Sequence, residues 1–121
     1  MSTSSKPSKV RKRQLQCPKH LRSRNLHAHL TESLAAKYGT RSMGVRKGDK
    51  VLLMRGDFAG HEDEITEVDL ERGLVYVRDV TREKADGTKS FLPVRASNIE
   101  ITNLNLDDER RQKILQRRGM P

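Results

Sequence analysis

Disulfides, tryptophan and long apolar runs are missing from this chain. Cys17 is its one cysteine, so no internal disulfide can form, which fits a reducing compartment. There is no Trp, and Tyr38, Phe58, Tyr76 and Phe91 are the only aromatics. With 33% apolar residues in 121, one domain with tails and a small core is expected. No apolar run approaches the ~20 residues of a membrane span. Met1 to Val10 lacks the apolar segment of a secretory signal. The basic arm has too few large apolar residues to insert into a membrane surface.

Acids are scarce in one part of the chain only. Residues 1–47 hold twelve Lys or Arg and one acid, Glu32. Residues 48–103 hold eight bases and twelve acids, and residues 104–121 five bases and three acids. The net charge of +9 therefore sits in the extensions, around a mildly acidic centre. Such a distribution points to a polyanionic partner.

Met1 to Gln14 is Ser, Lys, Arg and Pro with little to bury, and is expected to be disordered when free. Lys6, Lys9, Arg11, Lys12 and Arg13 are spaced to follow phosphates. Cys17, His20, His27 and His29 invite a metal reading. Structural zinc sites usually use two or more thiolates, so no metal is expected here. A short helix starting at Pro18 is predicted instead, presenting Lys19, Arg22 and Arg24 with Leu21 and Leu26 turned inward. Thr31 opens a second helix, with Glu32 in its first turn and Lys37 near its end, and Gly39 closes it. Arg41 lies in the connection that follows.

Strands are expected at about 49–55, 63–69, 74–79, 88–94 and 98–102. Asp86-Gly87 centres a hairpin turn, and Pro93 suits only an edge or a strand end. Five short strands suggest a small antiparallel barrel of the SH3-like kind. A last helix begins at Asp107-Asp108-Glu109 and continues through Arg110, Arg111, Lys113, Arg117 and Arg118. Ile114 and Leu115 are its only large apolar residues, so weak packing, against solvent or RNA, is expected.

The stretch Arg55-Gly56-Asp57-Phe58-Ala59-Gly60 resembles the loop of a KOW motif, found in ribosomal proteins and transcription elongation factors. Two glycines four apart make a tight turn whose backbone can meet a partner closely. In the family this loop is an RNA contact. Further segments extend the likeness: Leu30-Thr-Glu-Ser-Leu-Ala-Ala-Lys-Tyr-Gly, Val75-Tyr-Val-Arg-Asp-Val-Thr, Lys84-Ala-Asp-Gly-Thr and Pro93-Val-Arg-Ala-Ser-Asn-Ile-Glu-Ile-Thr. In this order, from about residue 9 to residue 118, they resemble the universal large-subunit ribosomal protein twenty-four family in its archaeal form. The eukaryotic counterpart carries the number twenty-six.

The resemblance implies a structural protein of the large ribosomal subunit, located in the cytoplasm within the ribosome. It implies binding to large-subunit rRNA near its 5′ end, early in assembly and close to the nascent-peptide exit, beside neighbouring large-subunit proteins. No enzymatic activity and no cofactor are implied. The mainly-β expectation thus divides into a basic rRNA-binding extension with short helices at 1–44, a five-stranded SH3-like KOW barrel at 45–103 and a C-terminal helix and tail at 104–121. Two positions depart from the family pattern: Asp63 stands where a third glycine is usual, and Arg78-Asp79 where a Glu-Gly pair is usual.

Candidate rRNA contacts are Lys6, Lys9, Arg11, Lys12 and Arg13 of the arm, then Lys19, His20, Arg22, Arg24, Arg41, Arg46 and Lys47. Arg55, Gly56, Asp57, Phe58 and Gly60 follow from the loop, and Arg110 and Arg111 from the last helix. Within the loop, Asp57 is expected to accept a backbone N–H, and Phe58 either to fill the barrel mouth, the favoured reading, or to stack on an unpaired base. No nucleophile motif or phosphate loop supports catalysis. The alternatives are a KOW-type elongation factor, which would carry a larger α/β domain before the barrel, and a free RNA chaperone.

Overall fold

A computed structural model of the protein describes residues 4–119. Among the described residues, nine short strands form one seven-stranded sheet and a separate hairpin, and four α-helices flank them. The N-terminal part starts with α1 (Pro7–Gln16), which has Pro at a first-turn position and no buried residue. The arm expected to be disordered is thus helical from Pro7, while residues 1–3 lie outside the described range. A short helix α2 (Lys19–Arg22) and a 3-10 turn (Ser23–Asn25) lead into β1 (His27–Leu30).

That strand corrects the helical reading of the segment before Leu30. His27-Ala28-His29-Leu30 alternates exposed and buried, the period of a strand with one face on a core. The outward positions are both histidines, and four residues are too few for the alternation to stand out in the sequence. Helix α3 (Glu32–Tyr38) follows, and Gly39 ends it with φ +66° and an N–H donated to the Ala35 carbonyl at 2.9 Å. β2 (Ser42–Gly44) then pairs antiparallel with β1.

The central strands are β3 (Lys50–Leu53), β4 (Glu62–Asp69), β5 (Leu74–Val77) and β9 (Ile99–Asn103). Val51 sits opposite Ile101 and Leu53 opposite Ile99 in the β3–β9 pair, so four fully buried side chains meet on one face. Burying each contributes about 1.5–3 kcal/mol. β4 shifts register between Ile65 and Glu67, a bulge that bends it. Hairpin β6 (Thr81–Glu83) and β7 (Lys89–Phe91) turns at Asp86-Gly87, where the Asp86 carboxylate accepts from the Thr88 N–H and hydroxyl. The expected strand 88–94 is split at Pro93 into β7 and the two-residue β8 (Val94–Arg95), because Pro has no N–H for the ladder.

Sheet order is β2-β1-β9-β3-β4-β5-β8, with β1 parallel to β9 and the other neighbours antiparallel. Among the described residues the outer strands β2 and β8 do not pair, so the sheet does not close. The fold is therefore mainly sheet, as expected. In place of the expected five-stranded SH3-like barrel, the described residues form a sheet of seven strands that includes β1 and β2, from the part read as a helical extension.

Helix α4 (Glu109–Arg117) starts at Asp108, whose carboxylate accepts the Arg110 N–H at 3.0 Å. Weak packing was expected of it, and the structure corrects that: Leu115 and Arg111 are each 1% exposed. Leu115 joins the main core, and Arg111 meets the fully buried Asp49.

Candidate nucleic-acid interface

The loop between β3 and β4 is closed by backbone hydrogen bonds. Ala59 N–H donates to the Gly56 carbonyl at 3.1 Å, Gly60 N–H to the Leu53 carbonyl at 2.8 Å and His61 N–H to the Phe58 carbonyl at 2.9 Å. Gly56 and Gly60 have φ of +93° and +91°, where a side chain is strained. A Cβ placed on either would meet nothing within 4 Å, so both glycines face open space rather than packed protein. Arg55 beside them is exposed and makes no ion pair among the described residues.

Two loop expectations resolve differently. Phe58 is half-buried, packs against the core and meets the His61 ring edge-on with centroids 6.5 Å apart. Asp57 is exposed, and its carboxylate accepts none of the hydrogen bonds that close the loop, because the glycine geometry leaves those to the backbone. His61 escaped the sequence reading. Its Nε2 lies 3.2 Å from the Arg78 carbonyl, tying the loop to the turn after β5. Adjacency to Gly60 was the one signal for it. In that turn Asp79 has φ +61°, so the aspartate adopts the left-handed conformation where the family pattern has glycine. Asp63 lies within β4 and needs no such conformation.

On α1, Lys9, Arg11, Lys12 and Arg13 are all exposed, as is Lys6 at its N-cap. His20, Arg24, Arg41, Lys47 and Arg110 are exposed as well. Lys19 is exposed but pairs with Glu71 at 3.0 Å, and Arg46 pairs with Asp108 at 2.7 Å. Arg22 works as a brace. Its guanidinium donates to the carbonyls of Cys17 (2.7 Å), Leu15 (3.1 Å) and Glu71 (3.1 Å), pinning the end of α1 to the β4–β5 turn. Cys17 is half-buried, and among the described residues no three His, Cys, Asp or Glu side chains gather as a metal site would need.

Arg111 is withdrawn from the contact surface altogether, which corrects its place among the candidates. Its two terminal nitrogens meet the Asp49 carboxylate at 2.5 and 2.6 Å and also donate to the carbonyls of Asn105 and Gly44. Asp49 further accepts the N–H groups of Arg46 and Asn105. A guanidinium fork fits a carboxylate in two parallel bonds, and the surrounding acceptors offset the loss of water. The partners lie 62 residues apart, so nothing local in the sequence announces the pair.

The model of the ribosomal protein family numbered twenty-six in eukaryotes and twenty-four in archaea matches residues 4–118. The chain belongs to this ribosomal protein family. Its relatives include proteins named large ribosomal subunit protein uL24 in three archaea. That of Methanothrix thermoacetophila is 46% identical over 94% of this chain and 98% of its own length. That of Korarchaeum cryptofilum is 44% identical over 97% of this chain and 89% of its own length. That of Haloarcula marismortui is 42% identical over 93% of this chain and 94% of its own length. The family is structural and non-enzymatic. The surface described above is thus the outside of a member of a ribosomal protein family: a loop with open glycines, a basic helix braced to the sheet, and exposed cations between them.

Proposed function

We propose that this protein is a structural constituent of the large ribosomal subunit that binds large-subunit rRNA. The observation that carries the reading is the Arg55–Gly60 loop, which offers backbone to a partner through two glycines that face open space. The exposed cations of α1 and the loop would meet phosphate, and contacts of this kind position a protein on RNA by shape. We place the rRNA contacts on Lys6, Lys9, Arg11, Lys12, Arg13, Lys19, His20, Arg24, Arg41, Arg46, Lys47, Arg110 and the loop, with Arg22 positioning α1. The finer reading has the chain join the 5′ region of the rRNA early in assembly, beside the nascent-peptide exit and neighbouring large-subunit proteins.

Co-sedimentation with large subunits through a high-salt wash tests the role. A constituent stays with the particle, whereas a free chaperone washes off into the supernatant. Chemical footprinting of the rRNA with and without the protein locates the contact. Protection confined to regions far from the 5′ end would remove the finer reading and leave the coarser one.

A further inference from the structure

Two clefts on one side of the molecule share His27 and Leu70 in their walls. The first, of about 700 Å³, lies between β2, the end of β4 and α4, with Val68, Leu70 and Ile114 as its accessible apolar lining over the buried Leu26, Met43 and Val45. The second, of about 640 Å³, continues between α1, the β4–β5 turn and the corner at Ala96-Ser97. Lys47 and Arg118 line the first, and Arg11, Arg72 and Arg95 line the second. Glu71 is the only acid among the described residues of either wall, and Lys19 already pairs with it. Among the described residues Arg11, Lys47, Arg72 and Arg95 have no carboxylate at ion-pair distance.

We propose that this continuous trough holds one unpaired strand of RNA, its phosphates along the basic walls and its bases over the apolar lining. The inference rests on the rRNA-binding reading and adds a second contact surface and the form of RNA it takes. A duplex turns its base faces inward and gains nothing from an apolar floor, whereas an unstacked base does. The charge is of one sign along the walls, as a phosphate backbone requires. Placing His27 where the two clefts meet gives a flat ring on which a base can stack. Arg72 and Arg95 lie in the net-acidic part of the sequence, and only strand pairing (Leu74 opposite Arg95) brings them beside the basic arm.

The test uses the full chain with a labelled unpaired oligonucleotide of about twelve nucleotides, within the span of known single-strand sites, and a hairpin duplex as competitor. For the double variant Arg72→Gln/Arg95→Gln, affinity for the unpaired oligonucleotide is expected to fall at least tenfold. The salt slope should decrease by about 1.4, at ~0.7 per phosphate contact. Lys84→Gln/Lys89→Gln, in the β6–β7 hairpin and in neither cleft, removes the same two charges and controls for net charge. A folded double variant that binds unpaired RNA like the unaltered protein overturns the trough, as does a duplex that competes on equal terms. Arg55→Gln, assayed on large-subunit rRNA, tests the loop separately. If only the trough variant is silent, the trough alone falls; if rRNA binding survives both changes, the loop contact falls as well; if the unaltered chain does not bind large-subunit rRNA, the rRNA reading itself falls.

Discussion

Helices α1 and α4 are both short, basic and poor in apolar residues, yet only α4 belongs to the core. α1 carries Lys9, Arg11, Lys12 and Arg13 and buries nothing. α4 carries Arg110, Arg111, Lys113 and Arg117 and buries Arg111 with Leu115. Composition does not separate them. What separates them is a carboxylate inside the fold: Asp49, fully buried just before β3, has a partner on α4 and none on α1. An arginine is thus left exposed or becomes a structural pin according to what lies opposite it.

The largest effect should come from breaking that pin. Asp49→Ala leaves the Arg111 guanidinium buried without its counter-charge, and is expected to cost about 3–5 kcal/mol in unfolding free energy. Arg111→Lys, with Asp49 in place, should not preserve the pin either, because an ammonium cannot make the two parallel bonds or reach the Gly44 carbonyl as well. Arg13→Ala on α1 should stay within about 0.5 kcal/mol. Urea unfolding of the three variants checks the contrast. Equal stability of Asp49→Ala and Arg13→Ala would erase the distinction between the helices.

Deleting residues 1–14 approaches the same comparison from the other side. No described side chain in that segment is buried, so the melting temperature should stay nearly unchanged. Five cations are lost, and the slope of log affinity for rRNA against log salt should decrease by up to about 4.5, at ~0.9 per duplex phosphate contact. An unaltered slope would make α1 a passive tail. The loop lies between these extremes. Gly60→Val keeps a free space around the new side chain but strains a backbone at φ +91°, by roughly 1–2 kcal/mol. Melting and rRNA affinity are measured separately: a folded variant with undiminished affinity would remove the loop from the contact surface.

What the sequence revealed follows from how local each signal is. The Asp86-Gly87 turn, the Gly39 cap and the acidic start of α4 are contained in a few neighbouring residues, and all appear in the structure. The loop glycines were visible in the same way. β1 escaped because its outward positions are two histidines that suggested metal chemistry. Sheet closure could not be read at all, since it depends on whether β2 and β8 meet. The Asp49–Arg111 pair and the Arg72–Arg95 wall are long-range, and a single sequence holds no sign of either. The candidate site was legible where it is a loop or a tail and illegible where it is assembled.

The smallest expected effect is also the one that probes the trough without altering its shape. His27 points outward from β1, but partial desolvation beside the clefts, and then the nearby Arg118, hold its imidazole below its ordinary pKa of 6.5 in the free protein. The unfolded chain titrates at the ordinary value, so around and below it the unfolded state binds more protons than the folded one. His27 therefore favours the folded state fully above about pH 6.5, and that contribution declines as pH falls toward the lower folded value. Arg118→Gln should raise the His27 pKa by removing the repulsion, and His27→Gln should flatten the pH dependence of the urea midpoint between about pH 7.5 and 5.5. Adding the unpaired oligonucleotide should raise the His27 pKa as well, because phosphate in the trough favours the imidazolium. An NMR titration of the ring protons reads all three states. A His27 that titrates at or above the ordinary value without RNA would contradict the partial desolvation and the Arg118 field. One that does not respond to RNA would place the strand somewhere other than between the two clefts.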